Sequence, residues 1–139
     1  MKLGDIMTPH VVTVSPDDTL GTIRNIFNRY KFHHVIVVEH GKAVGVISDR
    51  DLLKHASPFL GKLEERARDA ASLSKKAHQI MSRGLVSAPE SMPVPEAILM
   101  MIGSNISCIP VLNEYSRPVG IVTSHDLLRW CTRCVSAAA

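Results

Sequence analysis

Long apolar runs are missing from this sequence of 139 residues. Its longest apolar segment, residues 97–102, is far shorter than the ~20 residues that a membrane-spanning helix requires. The first residues include Asp5, whereas the core of a secretory signal peptide is apolar. The sequence therefore predicts a cytoplasmic protein that does not insert into a membrane.

Cysteine is scarce, and neither sign of charge dominates. The odd count of 3 cysteines favours a reducing compartment over a disulfide framework. Cys131 and Cys134 form a C-x-x-C motif, but no second pair supplies zinc ligands, and the motif lies late in the last predicted helix. The formal charge of +3, without a long basic stripe, fits small anions better than nucleic acid as partners.

A short motif occurs twice, as GVISDRDLL at 45–53 and as GIVTSHDLL at 120–128. In each copy an apolar strand ends in a hydroxyl residue, Ser48 or Thr123, and a carboxylate, Asp51 or Asp126, follows three residues later before a helix. This pattern predicts a helix N-cap, which needs no ligand. A hydroxyl and a carboxylate at a helix start can also bind a ligand, through phosphate and ribose hydroxyls respectively.

The first half reads as strand, helix, strand, strand and helix. Val11–Val14 is a short strand, and Ser15 followed by Pro16 predicts an N-cap and the first helical residue. Val35–Val38 is a buried strand, and a turn at His40–Lys42 leads to a pairing strand at 44–47.

The second half repeats this order 74 or 75 residues later, with Val86–Ser87 as its first strand and with Pro93 and Pro95 opening its helix. The apolar stripes of the two helices are Leu20, Ile23, Phe27 and Tyr30, and Val94, Ala97, Ile98 and Met101. We expect an α/β (α+β) fold of two pseudo-symmetric β-α-β-β-α repeats, 1–56 and 80–139, joined by a helical connector at 57–79 and packed as an intramolecular pair.

The doubled Gly-x-x-[Ser/Thr]-x-x-Asp motif, with the repeated Ile-Met pairs at 6–7 and 80–81, resembles the cystathionine β-synthase (CBS) domain pair. The resemblance extends from Asp5 to about Arg129. One departure is that the proline often found in the second strand of this family is present as Pro110 but replaced by Ile36 in the first half.

The resemblance implies a regulatory sensor, for example of cellular energy, that binds an adenosine-containing ligand such as AMP, ADP or ATP in two clefts between the repeats. It implies a homodimer and an effector protein as partners. It implies no required cofactor. One cleft would combine Val46, Ser48, Arg50 and Asp51 with Met81, Gly84, Val86, Ile106 and Ser107. The other would combine Ile121, Thr123, His125 and Asp126 with Met7, His10, Val12, Phe32 and His33.

The basic residues of the two clefts differ in kind. Arg50 carries a permanent charge on a planar fork that suits phosphate, whereas His125 and His33 are cationic only when protonated. Other interpretations remain open, because Arg50 is also compatible with a solvated helix surface and His33 or His34 with an ordinary strand end.

An enzyme is disfavoured. Ser124, His125 and Asp126 are consecutive residues at a helix start and project in different directions, so they cannot align as a catalytic triad. His33 and His34 point to opposite faces of a strand and cannot chelate a metal from one side, even with His40 nearby. The alternative to a nucleotide sensor is a ligand-independent dimerisation module, which would not need both carboxylates.

Overall fold

The structure is a computed structural model that describes residues 1–30, 32–56, 67 and 71–138. Most of the predicted connector helix, at 57–66 and 68–70, therefore lies outside the described residues. The elements in chain order are α1 (Leu3–Ile6), β1 (Thr13–Val14), α2 (Leu20–Tyr30), β2 (His34–Glu39), β3 (Lys42–Ser48), α3 (Asp49–His55), a 3₁₀ turn (Ser72–Ser74), α4 (Ala77–Ile80), α5 (Val94–Ser104), β4 (Cys108–Leu112), β5 (Pro118–Thr123) and α6 (Ser124–Ala138).

Contacts divide the chain into two compact units. The first unit is Val12–Leu85, and the second unit joins Met1–Val11 to Val86–Ala139. The first unit contains a three-stranded sheet in the order β1-β2-β3, and the second contains the pair β4-β5. Helices and sheets are mixed in both, so the expected α+β class is confirmed. Among the described residues, no helix is both long and apolar enough to cross a membrane.

The two sheets differ because Ile36 and Pro110 occupy the same place in their repeats. In the first unit β1 runs parallel to β2, and the Ile36 amide donates to the Val12 carbonyl over 3.1 Å. Pro110 has no N–H to donate, so this bond has no counterpart. The prediction of a strand at Val86–Ser87 is therefore wrong. In its place the structure has an isolated β-bridge between Ala88 and Val111.

The start of α2 also differs from its prediction. Ser15 does not cap the helix, because its amide donates to Asp18 Oδ2 over 2.7 Å and Asp18 N–H donates back to the Ser15 carbonyl, which closes a separate turn. The helix begins at Leu20, after Thr19, whose hydroxyl accepts from the Thr22 amide over 3.3 Å. The prediction for α5 is confirmed, with Pro93 as its N-cap.

The cores of the two units follow the predicted stripes. Leu20, Ile23 and Phe27 are buried in α2, but Tyr30 exposes 54% of its surface and instead stacks on Phe32 with ring centroids 6.1 Å apart. Of the predicted strand residues of β2, Val35, Ile36 and Val37 are buried and Val38 is half-buried. The turn before β3 has positive φ at His40 and Gly41, as a two-residue hairpin requires. The second unit buries Val94, Ala97, Met101, Ile109, Val111 and Val122.

In each unit a short segment that contains a methionine packs against a glycine of a strand. This methionine segment is residues 81–82 in the first unit and residues 7–8 in the second. In the first unit Ser82 pairs with Val46, and a Cβ placed on Gly45 would lie 3.0 Å from the Ser82 carbonyl oxygen and 2.9 Å from Met81 Cγ. In the second unit Thr8 pairs with Ile121, and a Cβ on Gly120 would lie 2.9 Å from Met7 Cγ. A side chain has no room at either glycine.

We expect Gly45→Ala and Gly120→Ala each to lower the free energy of unfolding by about 1–3 kcal/mol, because the added methyl group displaces a backbone carbonyl as well as a flexible methionine. Gly103→Ala is the matched control. A Cβ at Gly103 meets nothing within 4 Å, and alanine is favoured within a helix, so stability should rise by about 0.5–1 kcal/mol. Chemical denaturation measures the free energy of unfolding of all three variants. Equal changes for Gly103→Ala and Gly120→Ala would contradict the prediction that Gly120 has no room for a side chain.

Candidate ligand-binding site

The first Asp motif forms a capping box at the end of β3. The Asp51 amide donates to Ser48 Oγ over 3.2 Å, and Asp51 Oδ2 accepts from the Ser48 amide at 2.8 Å and from its hydroxyl at 3.0 Å. Ser48 is thus the N-cap of α3, and the predicted capping is confirmed.

The second Asp motif repeats this geometry in the other unit. Asp126 Oδ2 accepts from the Thr123 amide at 2.9 Å and from the Thr123 hydroxyl at 3.0 Å, and the Asp126 amide lies 3.4 Å from Thr123 Oγ1. In both motifs Oδ2 makes the capping bonds and Oδ1 takes no part in the capping box. The cap holds each carboxylate in one orientation and leaves its second oxygen outside that network.

The strand that leads to each carboxylate also forms backbone hydrogen bonds with a methionine segment. Val46 exchanges two backbone hydrogen bonds with Ser82, which places Met81 against the strand that ends in Ser48. Ile121 likewise exchanges two bonds with Thr8, at 2.9 and 3.0 Å, which places Met7 against the other strand. In each unit the structure thereby brings together an apolar strand residue, the cap, the carboxylate and a thioether.

The other candidates of the first cleft fall in both units. Arg50 is exposed on α3, and Gly84 is exposed with open space around it. Val86 and Ile106 are half-buried in the second unit, where Ile106 packs against the core. The Ser107 carbonyl accepts from the Ser124 amide over 2.9 Å, which places Ser107 at the start of α6.

The candidates of the second cleft are likewise divided. His10 and His125 are exposed in the second unit. Val12 and Phe32 pack against the core of the first unit. His33 lies at the start of α3, where its carbonyl accepts from the Asp49 amide over 2.9 Å. The grouping of these residues into two clefts that span both units stays a prediction.

Histidines and carboxylates give the start of α3 its local charge pattern. His33 Nδ1 lies 2.9 Å from Asp49 Oδ2, an ion pair when the imidazole is protonated. Burial lowers the pKa of His34 below its ordinary value of 6.5, and the nearby Asp49 carboxylate opposes this shift. Burial therefore favours the neutral form of the His34 imidazole, whereas its neighbour His33 is exposed.

Arg129 is a polar residue near Asp126 that the sequence analysis did not single out. Its Nη2 lies 3.0 Å from His125 Nε2, one helical turn away. The spacing of three residues from Asp126 and four from His125 is the signal that could have identified it, because residues so spaced share one face of a helix. Among the described residues, no group of three or more His, Cys, Asp or Glu side chains is placed to hold a metal.

The doubled architecture matches known proteins. The model of the CBS domain matches residues 3–57 and again residues 77–133. A CBS domain-containing protein of Dictyostelium discoideum is 34% identical over 88% of this chain and 86% of its own length. The crystal structure of the CBS domain pair of protein MJ0100, in complex with 5′-methylthioadenosine and S-adenosyl-L-methionine, is 29% identical with a TM-score of 0.79, over 95% of this chain and 96% of that one.

Other relatives match this chain over only part of their own length. Inosine-5′-monophosphate dehydrogenase of Methanocaldococcus jannaschii is 29% identical over 92% of this chain, which spans 23% of that enzyme. The cytosolic domain of the Mg²⁺ channel MgtE, solved with ATP, is 26% identical with a TM-score of 0.73, over 92% of this chain and 48% of that one. The two matches of the domain model together cover most residues of the chain, so the chain belongs to the CBS domain family.

Proposed function

We propose that the chain is a regulatory module that binds an adenosine-containing ligand and passes its state to a partner protein. The observation that carries this proposal is the pair of capped carboxylates, each of which accepts two hydrogen bonds through Oδ2 in its capping box and leaves Oδ1 outside the cap. An ionised carboxylate accepts hydrogen bonds only, and a vicinal diol offers two donors, so ribose is a matching group.

Two relatives support adenosine as the ligand class. A CBS domain pair of 29% identity was solved with two adenosine derivatives, and a channel domain of 26% identity was solved with ATP. In this chain Val46 and Met81 in the first unit, and Ile121 and Met7 in the second, supply half-buried apolar surface beside each carboxylate. Such surface suits the face of a purine. We therefore propose that AMP, ADP, ATP or a related adenosine compound binds at one or both motifs, in clefts formed by repeats 1–56 and 80–139.

We expect Asp51→Ala and Asp126→Ala to weaken adenosine-ligand binding at their own motif by one to two decades. Each charged hydrogen bond to the ribose contributes ~1.5–3 kcal/mol, and 1.4 kcal/mol corresponds to a factor of ten. Each variant should also lose about 0.5–2 kcal/mol of stability with its cap. Calorimetric titration and thermal melting measure the two effects separately.

Asp18→Ala is the matched control for this experiment. Asp18 Oδ2 accepts from a backbone amide three residues earlier, as the motif carboxylates do, but Asp18 belongs to neither proposed cleft. The control should lose stability and keep its affinity. If all three variants keep their affinity and lose only stability, Asp51 and Asp126 are helix caps and the ribose assignment is wrong.

A module that associates without a ligand is the second candidate function. With or without a ligand, the exposed apolar residues of the second unit favour a homodimer. Leu99 and Ile102 on α5 are 69% and 73% exposed, and Leu128 on α6 is 65% exposed. A cavity of about 310 Å³ lies between these helices, lined by Ile98, Met101, Ile102, Ile106, Ser124, Leu127, Leu128 and Cys131. Contiguous exposed apolar surface of this kind is typical of an interface.

The helices of the first unit that correspond to α5 and α6 are less apolar, although Leu53 on α3, at the position of Leu128, is itself 79% exposed. Asn25 and Asn28 occupy the positions in α2 that Leu99 and Ile102 occupy in α5, 74 residues later. The exposed apolar pair of α5 therefore has no counterpart in α2. We propose that two copies of the chain associate through these two helices, in a two-fold interface in which the same surface meets itself.

We expect Leu99→Asp with Ile102→Asp to convert a dimer into a monomer in light scattering, because each buried carboxylate would have no partner in the interface. Asn25→Asp with Asn28→Asp is the matched control and should leave the mass unchanged. Cys131 lines the cavity and Cys134 is exposed, so thiol labelling should be slowed at Cys131 alone in the dimer. A wild-type monomer at tens of micromolar would rule out the interface.

A further inference from the structure

A cavity in the first unit lies at the end of the sheet away from the Asp51 motif. Its volume is about 500 Å³, within the range of about 300–1,000 Å³ that small-molecule sites occupy. Three segments line it: the loop after β1, the end of β2 with its turn, and α4 with the residues that follow it. Glu39 at this end of β2 pairs with Lys42, whereas His34 at the other end pairs with Ser48 of the motif. The strand between His34 and Glu39 spans about 16 Å, which separates the cavity from the cap.

One part of the lining is basic and another part is apolar. The basic residues are His40, His78 and Arg83. The apolar residues are Pro16, Val38 and Met81. A guanidinium group has five N–H donors, and an imidazole has an N–H donor whether or not it carries a charge. The cavity thus presents hydrogen-bond donors to an anion and an apolar wall to the rest of a ligand.

Hydrogen bonds hold two of the lining segments together. The His78 amide donates to the Pro16 carbonyl over 3.1 Å, and the Ala77 amide donates to the Asp18 carbonyl over 2.8 Å. Arg83 Nη2 donates to the His78 carbonyl over 2.9 Å, which uses one of the five N–H groups of the guanidinium. This bond orients Arg83 at the cavity and leaves the other four N–H groups outside it.

Two acids also line the cavity, and each of them is paired with a lysine. Asp17 Oδ1 lies 3.7 Å from Lys76 Nζ. Glu39 is directly opposite Lys42 across the hairpin, so their side chains extend from the same face of the sheet. Within the part of the chain that the structure describes, no carboxylate forms an ion pair with any of the three basic residues of the lining. The acids therefore do not neutralise the basic residues directly.

The second unit has no basic residue at the equivalent positions. At an offset of 74 residues, the basic positions 40, 78 and 83 correspond to Glu114, Gly4 and Pro9. The positions equivalent to the whole lining include two acids, Glu90 and Glu114, so the two sets contain the same number of acids. The repeats differ in their bases, and the basic lining is a feature of the first unit.

We propose that this cavity binds a small phosphomonoester, with its phosphate at Arg83, His40 and His78 and its organic part against the apolar wall. A phosphomonoester has three terminal oxygens that accept hydrogen bonds, which matches three donor side chains, whereas a carboxylate has two oxygens. The planar fork of Arg83 suits two oxygens of one phosphate. This site goes beyond the proposed adenosine site and does not depend on it.

The test is calorimetric titration of the full chain with phenyl phosphate, inorganic phosphate and benzoate. Phenyl phosphate should bind more tightly than inorganic phosphate, because its ring contacts the apolar wall, and more tightly than benzoate, which has one acceptor oxygen fewer. Arg83→Ala should weaken phenyl phosphate binding by about ten- to a hundredfold. Arg83→Lys keeps the charge but loses the fork, and should recover only part of the affinity.

His40→Gly is a second variant that suits the fold. The φ of His40 is 53°, a value that glycine adopts without strain, so the turn should persist while the imidazole is lost. This variant should weaken phenyl phosphate binding by about tenfold. Arg24→Ala is the matched control, because Arg24 lies on α2 in the same unit but does not line the cavity, and it should keep the affinity of the unmodified chain.

The outcomes distinguish this site from the proposed adenosine site. Adenosine has no phosphate and should not displace phenyl phosphate, and displacement would overturn the proposal by placing both ligands in one site. Equal losses for Arg24→Ala and Arg83→Ala would overturn it too, because the effect would then be one of overall charge. If the unmodified chain binds neither phenyl phosphate nor inorganic phosphate, the cavity is not an anion site, whatever adenosine does.

Discussion

The contact between a methionine segment and a glycine of a strand is the constraint on which the rest of each unit depends. Met81 lies over Gly45 and Met7 over Gly120, and in both cases the next residue pairs with the strand. This contact fixes the strand whose last residue is Ser48 or Thr123. The cap then orients the carboxylate three residues later, so the geometry of each candidate site follows from a backbone approach that only glycine permits.

Local signals predicted much of the fold. The caps at Ser48 and Thr123, the hairpin turn at His40 and the proline start of α5 each depend on hydrogen bonds or dihedral angles within a few residues, and the structure has all of them. The start of α2 was misjudged for a local reason as well. The Ser15 hydroxyl accepts from the Asp17 amide over 3.3 Å, and the turn that Ser15 forms with Asp18 ends before the helix begins.

Non-local features were beyond the local patterns of the sequence. No local pattern in residues 1–11 indicates that they belong to the compact unit formed by residues 86–139. Only the family resemblance grouped Met7 with Ile121, and in the structure Thr8 pairs with Ile121. The absence of a strand at Val86–Ser87 follows from Pro110 in β4, which has no N–H to pair with such a strand. In the candidate site, the sequence predicted the caps and the carboxylates. It did not single out Arg129, although the helical spacing from His125 indicates their contact.

The division of the chain into units also bears on the order in which a ribosome releases it. The first unit is one continuous segment, Val12–Leu85, whereas Met1–Val11 emerges before every other part of the second unit. At about 5–20 residues per second, Thr8 waits roughly 5–20 seconds for Ile121 to be synthesised. During that interval the buried side chain of Leu3 and its neighbour Met7 have no core to enter. A nascent chain would therefore close its first unit while residues 1–11 are still exposed to chaperones and proteases.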